Sequence, residues 1–280
     1  FLNFRREYME VVGSEDAFGR TIWALGYLIR YAPNSAYREF GLEMYRRAIP
    51  HFASLRYLRG IADTIIGITH YLACFPTDEG MLETLADLSG KLMEAYRQNA
   101  SRNWQWYEKK MVYDNGILPL ALLHSCEITG NAAARKIALE SLQFLEKVCF
   151  RKDWFTPVGN RGWYDDKTGS VPLFDQQALE TMAMVLLYHQ AYLLTGKHTW
   201  LQKMYQCYTW FLGENELHIP LFDGETFGCC DGLQERGVNR NQGAESTLAY
   251  WISHLTVIKA IENEARHTRQ YPPLRPEVVI

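Results

Sequence analysis

YDNGILPLALLHSCEITGNAAARKIALESLQFLEKV, residues 113–148, contains the unit from which this chain is built. A cluster of aromatic, acidic and amide residues, Tyr113-Asp114-Asn115-Gly116, leads straight into an apolar helical run over 117–128. The tight turn Thr129-Gly130-Asn131 then hands the chain to a second helical stretch, 132–148, which has no such leader. Asp and Asn are good N-caps and Gly is the favoured residue just past a helix C-terminus, so both ends of the first helix are marked. Thr195-Gly196-Lys197 repeats the turn, again between a led helix (178–194) and a plain one (199–212). Matching turns at matching places indicate a repeated helical hairpin.

Working outward, the leader recurs at intervals of roughly 45 to 70 residues. Gly13-Ser14-Glu15-Asp16 precedes 17–29, residues 56–59 precede 61–72, Phe174-Asp175-Gln176-Gln177 precedes 178–194, and Asn241-Gln242-Gly243-Ala244-Glu245 precedes 246–261. Plain helices over 35–51 and 79–98 complete a set in which led and plain helices alternate. Alternation of this kind predicts an all-α fold, an (α/α)6-type toroid of inner and outer helices, with the polar clusters gathered at one mouth. A closed ring of six hairpins needs more helices than these, so an N-terminal hairpin is expected upstream of Phe1. One toroid domain over 1–265 is expected, followed by an irregular tail over 266–280, because Pro272, Pro273 and Pro276 oppose helix. The long connections 149–174 and 213–242 each lead into a polar cluster, and loops of that length are usually functional.

Composition narrows the chemistry. No stretch comes near the roughly 20 unbroken apolar residues of a membrane span, and a net charge of −3 with scattered Lys and Arg gives no nucleic-acid footprint. Six cysteines, at 74, 126, 149, 207, 229 and 230, form no CxxC pair and no Cys/His metal spacing, so no metal is expected. Unpaired cysteines in apolar runs suit a reducing compartment, which gives a cytoplasmic expectation. No phosphate loop, nucleophile elbow or dinucleotide fingerprint appears, and no cofactor is expected. Aromatics make up 14% of the chain, and several stand in Gly- and Asn-rich loops where a sugar ring could stack.

GSEDAFGRTIWALG (13–26), WQWYEKKMVYDNGILPLAL (104–122), PVGNRGWY (157–164), FDQQALET (174–181) and GVNRNQGAEST (237–247) resemble bacterial six-hairpin glycosidase-like proteins. They are more similar still to the branch found beside or fused to glycosyltransferases in polysaccharide gene clusters. The resemblance covers about 13–261. It implies a toroid fold, an oligosaccharide or polysaccharide substrate and a glycosyltransferase as partner. Members of the branch begin with a helix led by an Asp-Asp-Asn motif, a string this sequence lacks.

Cleaving a glycosidic bond takes one carboxylic acid and one carboxylate. Glu245, at the start of a helix and preceded by Asn239, Arg240 and Gln242, is the expected general acid. Asp114 or Asp175 is the expected base or nucleophile. Asp16 joins them as a fourth candidate, since it and Glu15 point about 100° apart on a helix and only one can face the site. Each also suits a helix N-terminus for purely structural reasons. Trp104, Trp106, Glu108, Asn160, Trp163, Tyr164 and Gln176 are the expected substrate contacts together with Asn239, Arg240 and Gln242, the tryptophans as half-exposed stacking surfaces. Asp63 is expected to pair with Arg59, four residues earlier, rather than to act chemically. Asp223, Glu225, Asp231 and Glu235 read as a solvated turn. The eight histidines lack ligand spacing, which argues against a histidine-based epimerase. A glycoside hydrolase is the leading expectation, with a saccharide-binding module or a sugar isomerase or lyase as alternatives.

Overall fold

The computed structural model describes residues 2–9, 13–150, 154–167 and 169–270, the side chains of 267–270 excepted. The chain divides into two compact units, the first comprising Phe1–Cys149 and Gly162–Pro172, the second Phe150–Arg161 and Leu173–Ile280. The first holds α1 (Glu15–Tyr31), α2 (Ser35–Ala48), α3 (Leu58–Leu72), α4 (Glu79–Asn99), β1 (Lys110–Met111), α5 (Ile117–Thr129), α6 (Ala132–Cys149) and β2 (Tyr164–Asp165). The second holds β3 (Gln176–Gln177), α7 (Ala178–Thr195), α8 (His198–Thr209), β4 (Gly232–Gln234), β5 (Gly237–Asn239) and α9 (Ala244–Gln270). Among the described residues no helix is long and apolar enough to cross a membrane.

In the first unit α1 packs on α3 and α3 on α5, whereas α2, α4 and α6 each follow the helix before them and cover it. In the second, α7 packs on α9 and α8 lies against both. Burial follows the same alternation. α3 is buried continuously from Arg59 to Leu72, while α4 buries only Met81, Leu85, Leu88, Ser89, Leu92, Met93 and Tyr96. An inner helix is therefore apolar nearly all round and an outer one is striped. Ile61, Ile65, Ile66, Ile68 and Leu72 are each at most 1% exposed, and burial of such a side chain stabilises by about 1.5–3 kcal/mol.

Helix ends fall where the sequence marks them. Ser14 accepts a hydrogen bond from the Ala17 N–H at the start of α1. Gly130 and Gly196 both close their helices at φ +66°, a left-handed conformation that Gly adopts without a Cβ clash. α2 and α8 stop short of the expected 51 and 212, and each passes into a 3-10 turn, Ile49–Ser54 and Trp210–Leu212. In the first of these Pro50 brings no N–H to an α-helical ladder. α9 instead runs to Gln270, so the start of the expected tail is helical. No Gly or Pro interrupts it before Pro272; residues 271–280 lie outside the described residues. The short strands were not foreseen: β1 pairs with β2, and β3, β4 and β5 form an antiparallel sheet in that order.

The closest packing in the first unit is between α1 and α3. Gly19 and Gly26 on α1 face Gly60 and Gly67 on α3, each pair seven residues apart. A Cβ at Gly19 would lie 2.6 Å from the Gly60 carbonyl oxygen and 2.9 Å from Asp63 Cβ; one at Gly67 would strike the Ile22 carbonyl. Helix propensity alone favours Gly→Ala by about 1 kcal/mol, but overpacking costs about 1–3 kcal/mol. Gly67→Ala is therefore expected to lower the urea-unfolding free energy by at least ~1 kcal/mol. Gly90→Ala in α4, where a Cβ meets nothing within 4 Å, should raise it by about 0.5–1 kcal/mol. Equal effects would show that α1 and α3 are not so close.

Candidate active site

Glu15 and Asp16 divide as their helical offset requires. Glu15 accepts hydrogen bonds from the Arg56 and Tyr57 N–H groups at 2.7 and 2.8 Å. It thereby caps the N-terminus of α3, which has no side-chain cap of its own. Asp16 turns the other way and accepts a 2.6 Å hydrogen bond from the Tyr113 hydroxyl, in the leader of α5.

Around that contact the leaders of three inner helices converge. Arg20 of α1 lies 3.8 Å from Asp114 Oδ2, and the Asp114 side chain is only 2% exposed. Asp114 sits at φ +47°, a left-handed conformation uncommon outside glycine. Arg59 of α3 donates through Nη1 to Glu108 at 2.6 Å and through Nε to the Tyr113 carbonyl at 2.8 Å. Its guanidinium also lies 5.0 Å from the centre of the Tyr113 ring.

Asp63 corrects the sequence reading. It has no ion pair with Arg59, whose fork is taken by Glu108 and Tyr113. Its carboxyl is buried, and neither oxygen has a hydrogen-bond partner among the described residues. Burial pushes its pKa well above the usual carboxylate value; the nearby Asp114 adds to this and Arg20 opposes it. An ionised carboxylate there would be a buried, unbonded charge, so the group is held as the neutral acid.

The 104–108 segment supports the site without forming a platform. Trp104 and Trp106 are 2% and 0% exposed, packed against Phe144. The expectation of half-exposed rings therefore fails for both. Trp104 Nε1 donates to the Glu108 carbonyl at 2.7 Å, fixing the residue that holds Arg59. Trp163 is 47% exposed with Lys110 Nζ 5.9 Å from its ring centre, and Tyr164 meets Trp104 edge-on.

The second unit carries the remaining candidates. Asp175 Oδ1 lies 3.2 Å from Arg161, which also reaches Glu235 at 3.5 Å, and the Asp175 carbonyl accepts from the Asn160 N–H at 2.9 Å. Gln176 is buried and its amide is consumed: it donates to the Leu173 carbonyl and accepts from Trp210 Nε1 at 2.7 Å. It is a core residue, a correction to its expected role. Gln242 is likewise engaged, donating to Asp223 and accepting from the Thr226 hydroxyl, which closes the 223–228 turn. Glu245 is exposed in the first turn of α9, and Asn239, Arg240 and Asn160 are exposed as well.

Asp231, read as part of a solvated turn, anchors α9. It accepts from the Gly243 N–H at 2.8 Å, the Ser246 hydroxyl at 2.9 Å, and the Asn241 amide. Partial burial pushes this carboxyl up, but those donors outweigh it and hold it below the usual value.

No protein-family model and no curated protein matches the chain. Solved structures do. A sugar epimerase from a ruminal bacterium matches over 97% of this chain and 79% of its own, at 11% identity and a TM-score of 0.65. The GH76 α-mannanase of Bacteroides thetaiotaomicron matches over 92% and 73%, at 14% and 0.59. The cellobiose 2-epimerase of Bacillus thermoamylovorans matches over 92% and 76%, at 13% and 0.58. The fold is thus all-α, the (α/α)6 toroid that these structures share.

Two outcomes follow from the burial pattern. Because folded Asp63 keeps its proton at pH values where the unfolded chain has released it, its contribution to stability is complete below about pH 4 and declines as pH rises toward the folded pKa. The melting temperature of Asp63→Asn relative to wild type should therefore rise by at least ~2 °C between pH 4 and pH 8; a flat difference would mean that Asp63 is ionised. Trp106→Ala should cost about 3–5 kcal/mol, against no more than ~0.5 for Trp163→Ala, measured by urea unfolding.

Proposed function

We propose that this chain is a carbohydrate-active domain that cleaves glycosidic bonds of a bacterial glycan by carboxylate acid–base chemistry, centred on Asp114 with Asp16 as the second carboxylate of the first unit. One observation carries the reading. A buried acid with no hydrogen-bond partner among the described residues, a buried carboxylate at positive φ and two arginines are concentrated where the leaders of α1, α3 and α5 meet. Strain of that kind costs about 1–3 kcal/mol per residue, and perturbed carboxyls cluster where proton transfer is needed. The fold supports the substrate class, since the similar structures are a mannanase and sugar epimerases. The resemblance of the leader strings adds the glycosyltransferase-associated branch, with a glycosyltransferase as partner and a cytoplasmic glycan as the material.

An exposed Trp163 beside Lys110 and Tyr164 supplies an aromatic face for a sugar, as does the polar rim of Asn160, Asn239 and Arg240 in the second unit. Asp175 and Glu245 are that unit's own carboxylates. The two units are assigned their roles separately.

The test is a panel of manno-, gluco- and galacto-configured oligosaccharides, with products resolved by chromatography and NMR. Shortened chains with a new reducing end support hydrolysis; a product of unchanged length with one inverted carbon means an epimerase; binding without product means a saccharide-binding module. Asp114→Asn should lower turnover by at least ~10²-fold with affinity kept. Glu245→Gln should do so as well if Glu245 is the acid, with melting unchanged to within a few degrees; unaltered turnover would leave it a helix-terminal charge.

A further inference from the structure

Arg59 stands where its own helix does not favour it. It is the second residue of α3, and a cation at a helix N-terminus opposes the macrodipole. The residue is 5% exposed, and its Nη2 has no hydrogen-bond partner among the described residues. Helix stability and burial therefore both argue against a guanidinium here, and residues that break local preferences are expected at functional positions. What the guanidinium gains lies on another segment. Nη1 meets Glu108 at 2.6 Å, Nε donates to the Tyr113 carbonyl at 2.8 Å, and the group lies 5.0 Å from the Tyr113 ring centre.

The Glu108 end of this bridge is held by its own segment. Trp104 Nε1 donates to the Glu108 carbonyl, Asn99 Nδ2 donates to the Tyr107 carbonyl at 2.8 Å, and the buried Tyr107 hydroxyl meets the Ser141 hydroxyl at 3.0 Å. The Tyr113 end is the peptide that joins Tyr113 to Asp114. A peptide unit is planar, so holding its carbonyl fixes the plane on the N-terminal side of Asp114, and only φ then turns the residue against it. On the other side the Asp114 carbonyl accepts from the Ile117 N–H at 3.3 Å. Between these two holds Asp114 lies at φ +47°.

We propose that Arg59 is a positioning residue for Asp114, acting through the Tyr113 peptide. This rests on the proposed acid–base role of Asp114. The guanidinium holds the plane before Asp114, the first turn of α5 holds the plane after it, and the carboxylate is thereby aimed to the place 3.8 Å from Arg20. Lysine at this position would keep a charge opposite Glu108, but it has no planar fork to hold Glu108 and the carbonyl in one geometry. Once released, Asp114 returns to negative φ, which a residue with a Cβ prefers, and its carboxylate leaves its place.

The experiment compares crystal structures of wild type, Arg59→Lys, Tyr113→Phe and the double variant Arg59→Met with Glu108→Gln. Asp114 is expected at positive φ in wild type and in Tyr113→Phe, which loses the Asp16 hydrogen bond but keeps the ring and carbonyl that Arg59 touches. It is expected at negative φ in Arg59→Lys and in the double variant. On an oligosaccharide that the panel shows to be turned over, Arg59→Lys should lower kcat by about 10-fold or more with KM kept within ~3-fold, because misplacing a reacting group costs rate rather than affinity. An unchanged φ in Arg59→Lys would overturn the proposal and leave Arg59 a simple charge opposite Glu108. An unchanged kcat beside a changed φ would overturn it too, since the conformation of Asp114 would then be idle in the reaction. The double variant removes the ion pair whole and strands no buried charge, so it decides if Arg59→Lys does not fold, positive φ there overturning the proposal. If no oligosaccharide is turned over, the φ values still decide whether Arg59 positions Asp114, so the two readings fall separately.

Discussion

The contact of α1 with α3 through four glycines is the constraint on which the first unit depends. Without Cβ atoms at 19, 26, 60 and 67 the two backbones approach until each helix lies against the other's carbonyls. Only at that distance can Glu15 of α1 reach past its own helix to cap α3. The same approach sets Asp16 and Arg20 on α1 among the charges of α3 and of the α5 leader. A larger residue at any of the four positions would separate the leaders, and with them the acid, the carboxylate and both arginines. The glycines are spaced by seven, close to two helical turns, so they line one face and leave the next for Ile22 and Ile29 to fill the core.

Burial first, and then the surrounding charge, raises the pKa of the buried acid. Asp16, Glu108 and Asp114 stand against Arg20 and Arg59, so the cluster already carries one more negative group than positive ones. Ionising Asp63 would add another where neither of its oxygens has a hydrogen-bond partner among the described residues. Low local dielectric magnifies each such term. Arg59 is committed to Glu108 and to the Tyr113 carbonyl, and its third contact, the Tyr113 ring, is weaker than an ion pair. The proton on Asp63 is therefore the cheapest way for the cluster to reach balance.

Helix order and alternation were legible because they rest on local signals: apolar period, Ser14 as a cap, and Gly at 130 and 196. Of the site, the sequence made legible only placement near a helix start, as for Asp16 and Asp114, which the structure joins through Tyr113 and Arg20. Asp63 was misread because the i, i+4 rule sees Arg59 but cannot see Glu108, which is distant in sequence and claims the guanidinium. Trp104 and Trp106 were misread because charged neighbours suggested a loop surface; Phe144 on α6, forty residues on, buries them. Gln176 looked like a sugar ligand and turned out to satisfy Trp210. In each case the deciding partner is a long-range contact that composition does not encode. The short strands escaped for the same reason, since pairs such as Gln176 with Leu233 have no local periodicity.

Asp231 and Asp63 show how one residue type is driven to opposite states by its surroundings. Asp231 lies at the N-terminus of α9, where a backbone N–H, a hydroxyl and an amide converge on its oxygens. Every one of those donors prefers the charged form, so the carboxylate is stabilised and the group becomes a fixed structural anion. Asp63 sits within α3, where the backbone N–H groups are already spent on the helix and none is left to donate. Neither of its oxygens has a hydrogen-bond partner among the described residues, and burial favours the protonated form. A carboxylate that anchors a helix holds no proton near neutrality, whereas one buried and denied donors keeps it to higher pH. The protonation state of a carboxyl in this chain thus depends on where donors are withheld as much as on where carboxylates are placed.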